Sequence, residues 1–561
     1  MKRKLLYIII LVFLAFSFNT MASESQNDTI KSTTAKGKKK PFKKLKAYFR
    51  YRDADYNGAI RIYREIYEID RNDAKLDFLI GKCEVALQNM DQAILFLQNA
   101  KKLNPNVDKS LHFLLGEAYQ YLGELDGAIL EYNIYKSTLK PSRIKNDPVK
   151  DLLNQVETAK NLMAHPANVK IKNLGHDINS EYDDGAPQIT ADGKTLYFTS
   201  RRPDTKGGGI DPNTGQYYDD IYSSTWNDEV NKWNPALNVD ELNTPGHDAV
   251  LGISSDGNTI FVYRNVPKVT GSGDIYFSTK KADGKWQTPK PLPKPINSSF
   301  FEGSCSISPD GNYIYFVSER NGGYGNGDIW RSKRIGKNLW EKPVNLGLTI
   351  NTEGDEMSVF MYPDGKTLFF SSNGHNTMGG YDIFMSQMKP DSTWTEPINL
   401  GYPINTTKDE KTFTMTADGK KAYITSNKDN GLGGYDIYEV DMSKYVYPMK
   451  IEGQEHENNA AKVETDLSIL KGSVIESSAA QQVEAEILIR DVLTSATTKL
   501  YTNETGDYFM TLKGGRDYEI MVDKAGYKKY SETISLPLDK EKTATLVKLI
   551  ILEKLPENQN K

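Results

Sequence analysis

Cysteine is almost absent from this chain, with two in 561 residues, Cys83 and Cys305. Two lone thiols are not a disulfide framework for an exported protein of this length, and both fall at apolar repeat positions, so they read as core packing. Histidine is as scarce: His112, His165, His176, His247, His375 and His456 are dispersed without ligand spacing, which sets aside the usual zinc patterns. His456-Glu457 opens like a zinc-protease motif but lacks the second histidine. No Gly-x-Ser-x-Gly elbow and no phosphate-binding glycine loop occur, so no serine hydrolase or nucleotide chemistry is written in the chain. No catalytic residue, metal or cofactor is therefore assigned, and the chain reads as a non-enzyme. An excess of positive charge is missing too. The formal net charge is −4, and loss of Lys2, Arg3 and Lys4 with a leader would take it to about −7, which argues against a nucleic-acid partner. Long apolar runs are confined to Leu5–Phe18, after Met1-Lys-Arg-Lys4 and before Thr20-Met-Ala22. That stretch is too short to span a membrane comfortably and reads as a signal peptide cut near Ala22. The segment holds no Cys, so lipid anchoring is not expected.

What is present is repetition. Between Asn179 and Asp441 one pattern is written five times. The aspartate before Ile recurs at Asp220, Asp274, Asp328, Asp382 and Asp436, always 54 residues apart, and an Asp-Gly turn recurs at Asp192, Asp256, Asp310, Asp364 and Asp418. The first copy carries ten extra residues. A period of this length, with short β-rich runs split by Gly and Asp, predicts a β-propeller of five blades over 168–442. Five copies hold only four Trp-x-x-Pro segments (Trp233, Trp286, Trp340, Trp394), where the fourth strand should begin. Val169-Lys-Ile-Lys-Asn-Leu-Gly175 matches Pro343-Val-Asn-Leu-Gly347. Counting therefore predicts that the strand 169–174 docks on the last blade and closes the ring, hiding an edge that would otherwise invite aggregation.

Residues 23–39 are polar and Lys-rich, read as a solvated tether, the alternative being attraction to an anionic membrane surface. From 40 to 165 the period shortens to 34 or 35 and the composition turns helical. Leu79-Ile-Gly81…Ala93…Leu97…Ala100…Pro105 and Leu115-Gly116…Tyr119…Ala128…Tyr132 resemble the tetratricopeptide repeat, with about three units and a capping helix after Asp147-Pro148. A polar linker spans 443–466. Residues 467–553 alternate in short strands and predict a small β-sandwich, followed by a tail, 554–561. Thr502-Asn-Glu-Thr-Gly-Asp-Tyr508…Gly515-Arg-Asp-Tyr-Glu-Ile520…Gly526-Tyr527 looks like the carboxypeptidase regulatory-like, transthyretin-type fold, a non-catalytic accessory module. The fold class is thus multidomain, α plus all-β: helical solenoid, five-bladed propeller, C-terminal sandwich.

Two residue sets are candidates for binding. The tetratricopeptide resemblance assigns a concave, peptide-accepting groove to Lys44, Tyr48, Tyr51, Lys75, Phe78, Lys82, Phe113, Glu117 and Gln120. In the repeats, Asp184, Asp248, Glu302, Glu356 and Glu410 share one position, five residues after an Asn. They either ring one mouth of a central channel, where they would take a cation or an amine, or serve the architecture. Their regular recurrence favours the second reading. The Gly-Tyr-Asp-Ile aspartates read as structural turn acceptors. The insertion 203–218 of the first copy is a candidate contact loop, and Asp211-Pro-Asn-Thr-Gly215 has only part of a calcium loop.

The order of leader, helical repeats, TolB/WD-like propeller and regulatory-like sandwich resembles multidomain envelope proteins of the Bacteroidota, including a group associated with type IX secretion and gliding, many of which end in an OmpA-type domain. This chain reaches Lys561 without that domain, so direct peptidoglycan binding is not expected. The resemblance implies a periplasmic, outer-membrane-associated scaffold whose partners are envelope proteins, with peptidoglycan reached only through them. A glycan- or muropeptide-binding sensor using the channel mouth is the alternative.

Overall fold

The computed structural model describes residues 39–211, 214–264, 273–281, 283–336, 338–446, 466–478, 480–503, 505–539 and 543–555. The expected signal peptide, nearly all of the Lys-rich stretch and most of the linker lie outside the described residues. The chain divides into two units, one ending at Ala164 and one beginning at His165. Among the described residues no helix is long and apolar enough to cross a membrane.

The first unit is helical: α1 (Lys39–Arg52), α2 (Tyr56–Tyr67), α3 (Ala74–Ala86), α4 (Met90–Leu103), α5 (Leu111–Tyr121), α6 (Leu125–Thr138), a short α7 (Pro141–Ile144) and α8 (Val149–Ala164). Aspartates start several of them. Asp55 accepts the Gly58 N–H (2.8 Å), and Asp73 accepts those of Lys75 (3.0 Å) and Leu76 (3.1 Å), which satisfies first-turn donors that have no partner inside the helix. Helices pair as hairpins α1/α2, α3/α4 and α5/α6, and α8 lies against α6. Close approach within a hairpin depends on glycine. A Cβ at Gly81 would sit 2.7 Å from Leu97 Cγ, and one at Gly116 only 2.4 Å from Tyr132 Cδ1. Leu76, Ile80 and Cys83 fill one inter-helix core, while Leu97, Leu111 and Leu115 fill the next. Each leucine so buried contributes about 2 kcal/mol.

The second unit is β-rich. Five antiparallel sheets follow the five sequence copies, led by the strands Asp184–Ile189, Asp248–Ile253, Glu302–Ile307, Glu356–Met361 and Glu410–Met415. Each leading strand neighbours the leading strand of the next copy, and the fifth neighbours the first. The Asp-Gly turns all place glycine at positive φ, between 67° and 70° at Gly193, Gly257, Gly311, Gly365 and Gly419, a conformation that side chains with a Cβ resist. Lys170–Asn173 pairs antiparallel with the last strand of the fifth sheet, Lys170 opposite Asp441 and Asn173 opposite Tyr438. The outer pairing begins at the tryptophans, Trp233 and Trp340 in two-residue strands on the third strand of their sheets and Trp286 and Trp394 in single bridges. It resumes beyond the proline, which has no N–H to give a ladder, in two-residue strands such as Val344–Asn345 and Ile398–Asn399. The tryptophans also wedge between sheets: Trp286 meets Tyr197, Trp394 meets Tyr315 and Trp233 meets Tyr423, all edge-on.

What joins the sheets is a repeated asparagine. Asn243, Asn297, Asn351 and Asn405 each donate to the carbonyl and accept from the N–H of Ile221, Ile275, Ile329 and Ile383 in the preceding copy, at 2.8–3.0 Å. Asn179 does the same for Ile437 of the fifth copy, at 2.9 Å. Ten hydrogen bonds in buried surroundings thus carry the succession of sheets back to its start.

The C-terminal sandwich has two sheets. One holds Leu467–Glu476 between Asp507–Lys513 and the parallel pair Thr545–Val547 and Ile550–Leu552; the other runs Thr497–Tyr501, Glu486–Asp491, Asp517–Val522, Tyr530–Ser535. It packs on the Asp-Gly turn end of the repeat sheets, where Ile469 and Phe509 meet Ala191 and Ala417. There the Thr511 hydroxyl also donates to the Pro363 carbonyl.

Candidate functional site

On the helical unit, the predicted groove residues separate into three groups. Lys44 and Lys75 are held in ion pairs, with Asp73 (2.5 Å) and Asp108 (2.8 Å), and Tyr48 is exposed. Phe78 and Gln120 are core residues, which corrects their placement in the groove. Phe78 is 2% exposed among Leu97, Leu111 and Leu115. Gln120 donates to Gln155 (2.7 Å) and accepts from Tyr132 (2.9 Å), joining α5, α6 and α8. Phe113 packs edge-on to Tyr135. The remainder come together: the Lys82 ammonium lies 4.7 Å over the Tyr51 ring, and Glu117 is near enough for its charge to oppose ionisation of the Tyr51 hydroxyl. Burial pushes the Glu117 carboxyl up to about 7, and no described residue bonds it. Tyr51, Lys82 and Glu117 sit on α1, α3 and α5, the first helix of three successive hairpins.

The five repeat carboxylates do not form an open ring. Each is buried and is capped by the Ser or Thr four residues before it. Asp184 accepts from the Ser180 N–H (2.6 Å) and hydroxyl (2.7 Å), Asp248 from Thr244 (2.6 Å for both), and Glu410 from Thr406 (2.7 and 2.9 Å). Ser298 and Thr352 do the same for Glu302 and Glu356. Four of the five also face a cation: Arg202 on Asp184 (2.7 Å), Arg264 on Asp248 (2.8 Å), Arg320 on Glu302 (3.1 Å) and Lys428 on Glu410 (2.7 Å). These cations reach on to the carbonyls of Ile178 (2.6 Å), Leu242 (2.6 Å), Ile296 and Ile404 (3.0 Å). The acids are consumed by the architecture, so the cation-binding ring is set aside.

The fourth copy departs from this scheme. Where the others carry Arg or Lys, it has Gly374, and a Cβ there would lie 1.9 Å from Thr352 Oγ1. The neighbouring His375 takes the equivalent carbonyl, donating from Nε2 to Ile350 (2.8 Å). Glu356 is left with hydroxyls and one N–H, and burial pushes it up to about 7. The recess among the other ends of the leading strands, lined by Ile189, Ile253, Ile307, Met361 and Met415, measures about 10 Å³, room for one water at most.

Beside the repeat acids lies a less regular polar cluster that sequence reasoning did not single out. Arg201 donates to Asp219 (2.7 Å) and reaches Asp183 (3.4 Å), and His247 stands between Asp219 (2.7 Å) and Asp211 (3.3 Å) of the first-copy insertion. In the fifth copy, Lys411 lies 3.7 Å over the Tyr435 ring, whose hydroxyl donates to Asp409 (2.8 Å). Its signal was the residue next to each repeated acid, which varies where the acid does not. Among the described residues no group of three His, Cys, Asp or Glu is placed to hold a metal ion.

No family model and no curated protein matches this chain. Solved structures give partial likenesses. The type III secretion chaperone SycD of Yersinia enterocolitica, in complex with a peptide of the translocator YopD, is 18% identical over 22% of this chain and 95% of its own, with a TM-score of 0.20. An endo-arabinase from Bacteroides thetaiotaomicron is 16% identical over 51% of this chain and 99% of its own, with a TM-score of 0.31. An alpha-L-arabinofuranosidase from Lactobacillus brevis is 16% identical over 40% and 77%, with a TM-score of 0.27. At such scores these likenesses assign no activity and no ligand to the chain.

Proposed function

We propose that this chain is a non-enzymatic scaffold of the cell envelope, exported to the periplasm and associated with the outer membrane or with a secretion complex. In this reading the five sheets are the blades of a five-bladed propeller latched by residues 170–173. The helices are a tetratricopeptide-type solenoid, and the sandwich is a regulatory-like docking module. The solenoid grips an extended segment of a partner protein, while the propeller offers a rigid face to another.

One observation carries the reading: Tyr51, Lys82 and Glu117 keep an aromatic face, a cation and an unbonded carboxyl on successive hairpins, whereas the repeat acids are spent on internal bonds. A peptide with a basic side chain would pair with Glu117, and its carbonyls or acids would reach Lys82. The 10 Å³ recess speaks against a ligand deep between the sheets. Photo-crosslinkers placed at Lys82 and Glu117 in living cells should trap a discrete protein. A crosslinker at Leu130, exposed on α6, should not, and Tyr51→Ala should weaken trapping at least tenfold. Absence of concave-face crosslinks, or tight sugar binding by the full chain on a glycan array, would overturn the scaffold in favour of the glycan sensor.

A further inference from the structure

Asparagine stands directly before glycine five times in this chain, at Asn57, Asn321, Asn326, Asn373 and Asn430. Such a pair can react with itself, because asparagine is a labile side chain and glycine has no Cβ to shield its nitrogen. The glycine nitrogen loses its proton and attacks the asparagine Cγ. The new N–Cγ bond closes a succinimide, and the Cγ–Nδ2 bond breaks to release ammonia. Water then adds to either carbonyl of that ring, leaving aspartate or isoaspartate, whose main chain runs through the side-chain carbon. An N–H that is already donating, or that faces a negative charge, resists the first step.

Four of the five pairs are protected by the fold. Gly58 donates to Asp55 (2.8 Å), Gly374 to the Ser372 hydroxyl (3.1 Å) and Gly327 to Asp355 (3.4 Å). Asn373 is held besides, its amide oxygen accepting the Asp355 N–H (2.8 Å). Gly431 lies against a carboxylate, since a Cβ there would be 2.5 Å from Asp436 Oδ2, and that charge opposes an amide anion beside it. Gly322 is the exception. Its N–H has no hydrogen bond among the described residues, and a Cβ there would meet only the Trp330 ring edge, at 3.8 Å. Asn321 and Gly322 are both exposed, and Gly322 has a φ of 98°. They lie in the loop of the third sheet between Ser318, opposite Glu302, and Asp328.

We infer that Asn321 is a site of self-modification, deamidating in the folded chain through the Gly322 nitrogen ahead of the other four pairs. Arg320, one residue before, reaches Glu302 (3.1 Å), and the N–H groups of Tyr324 (2.6 Å) and Gly325 (3.1 Å) cap Asp328. Isoaspartate lengthens the main chain by a methylene between these anchors, and either product sets a negative charge beside Arg320. The test is ageing of the full chain in warm, mildly alkaline buffer, followed by mass spectrometry of its tryptic peptides. Cleavage after Arg320 and Arg331 leaves Asn321 and Asn326 in one peptide, so fragment ions compare an open pair with a protected one directly. A gain of one mass unit should appear at Asn321 at least tenfold faster than at Asn326, Asn373 or Asn430, with isoaspartate detected by methyltransferase labelling. The gain should quicken as the pH rises, because base removes the Gly322 proton. Denaturation in guanidinium chloride should erase the difference between Asn321 and Asn326. Equal rates at those two positions in the folded chain, a faster gain at any other pair, or no isoaspartate in the aged peptide would overturn the inference.

Discussion

Four of the repeat carboxylates sit against a cation, and Glu356 does not. All five occupy the same position, all are buried, and all are capped by the same Ser or Thr four residues earlier. The difference is one residue, Gly374 in place of Arg or Lys. It teaches that the acid-and-hydroxyl cap is enough to build the strand start, because the fourth sheet forms the same ladder, Glu356 opposite Ser372, as the fifth, Glu410 opposite Ser426. The cation does something else, which is to set a counter-charge against the buried carboxyl and to tie it to a backbone carbonyl beyond. Without it the fourth carboxyl holds its proton to about pH 7.

The strongest way to break this contrast is to make a paired acid resemble Glu356. Arg202→Met strips Asp184 of its cation and leaves the Ile178 carbonyl without its donor. Removing one partner of a buried ion pair costs about 4 kcal/mol. The loss should be read from denaturant melts of parent and variant. Next in size is the clamp that all copies share. Asn405→Ala orphans the Ile383 N–H and takes one of two donors from the Ile383 carbonyl and from the Asn399 amide oxygen, which should cost about 3 kcal/mol. That loss should not vary with pH, since no charge is involved.

Glu356→Gln should go the other way. Its carboxyl has a folded pKa of about 7 against an ordinary 4.5, so the folded chain binds its proton more tightly than the unfolded chain. Its contribution is full below pH 4.5 and is lost as pH rises toward 7, a span worth about 3 kcal/mol. The glutamine keeps the shape without the charge, so the variant should match the parent near pH 4 and exceed it near pH 8. Destabilisation at pH 8 would show that Glu356 has a counter-charge after all.

How much of this was legible in the chain depends on distance along it. The 54-residue spacing and the Asp-Gly turns are local, and glycine at positive φ can be read where it stands. The strand borrowed from Lys170–Asn173 could be reached by counting, because a missing segment and an extra one share the ending Asn-Leu-Gly. The pairing of four acids with a cation was written as a second recurrence, 18 residues on in three copies and 16 in the second, yet Arg and Lys at shifting positions, with Gly374 in the fourth copy, do not look like a motif until the partner is known. The repeated asparagines served as markers of the copies, while their bonds to the preceding sheet are long-range and invisible to periodicity. On the helices, Phe78 and Gln120 were misplaced because a first helix has both a concave face and a face toward the next hairpin, and one helical turn separates them. The Phe42, Leu45 and Phe49 stripe reads as core by pattern alone, since only tertiary structure shows that it is exposed among the described residues.

The smallest effect sharpens the contrast within the fourth copy itself. His375 supplies the donor that Arg or Lys gives elsewhere, and its ring packs on Phe370 and Phe384. Burial pulls its pKa below the ordinary 6.5, so the folded chain holds this imidazole neutral. Its contribution is full above pH 6.5 and is lost as the pH falls through its lowered folded value, opposite in sign to that of Glu356. The two slopes offset each other where their ranges overlap. His375→Ala should cost about 1–2 kcal/mol at neutral pH for one hydrogen bond and two ring contacts. Its signature is in the pH profile: with the imidazole gone, stability should rise more steeply as the pH is lowered from 7 toward 5. A less steep rise would mean that His375 is protonated in the folded chain, and that the fourth copy replaces its missing cation with an imidazolium.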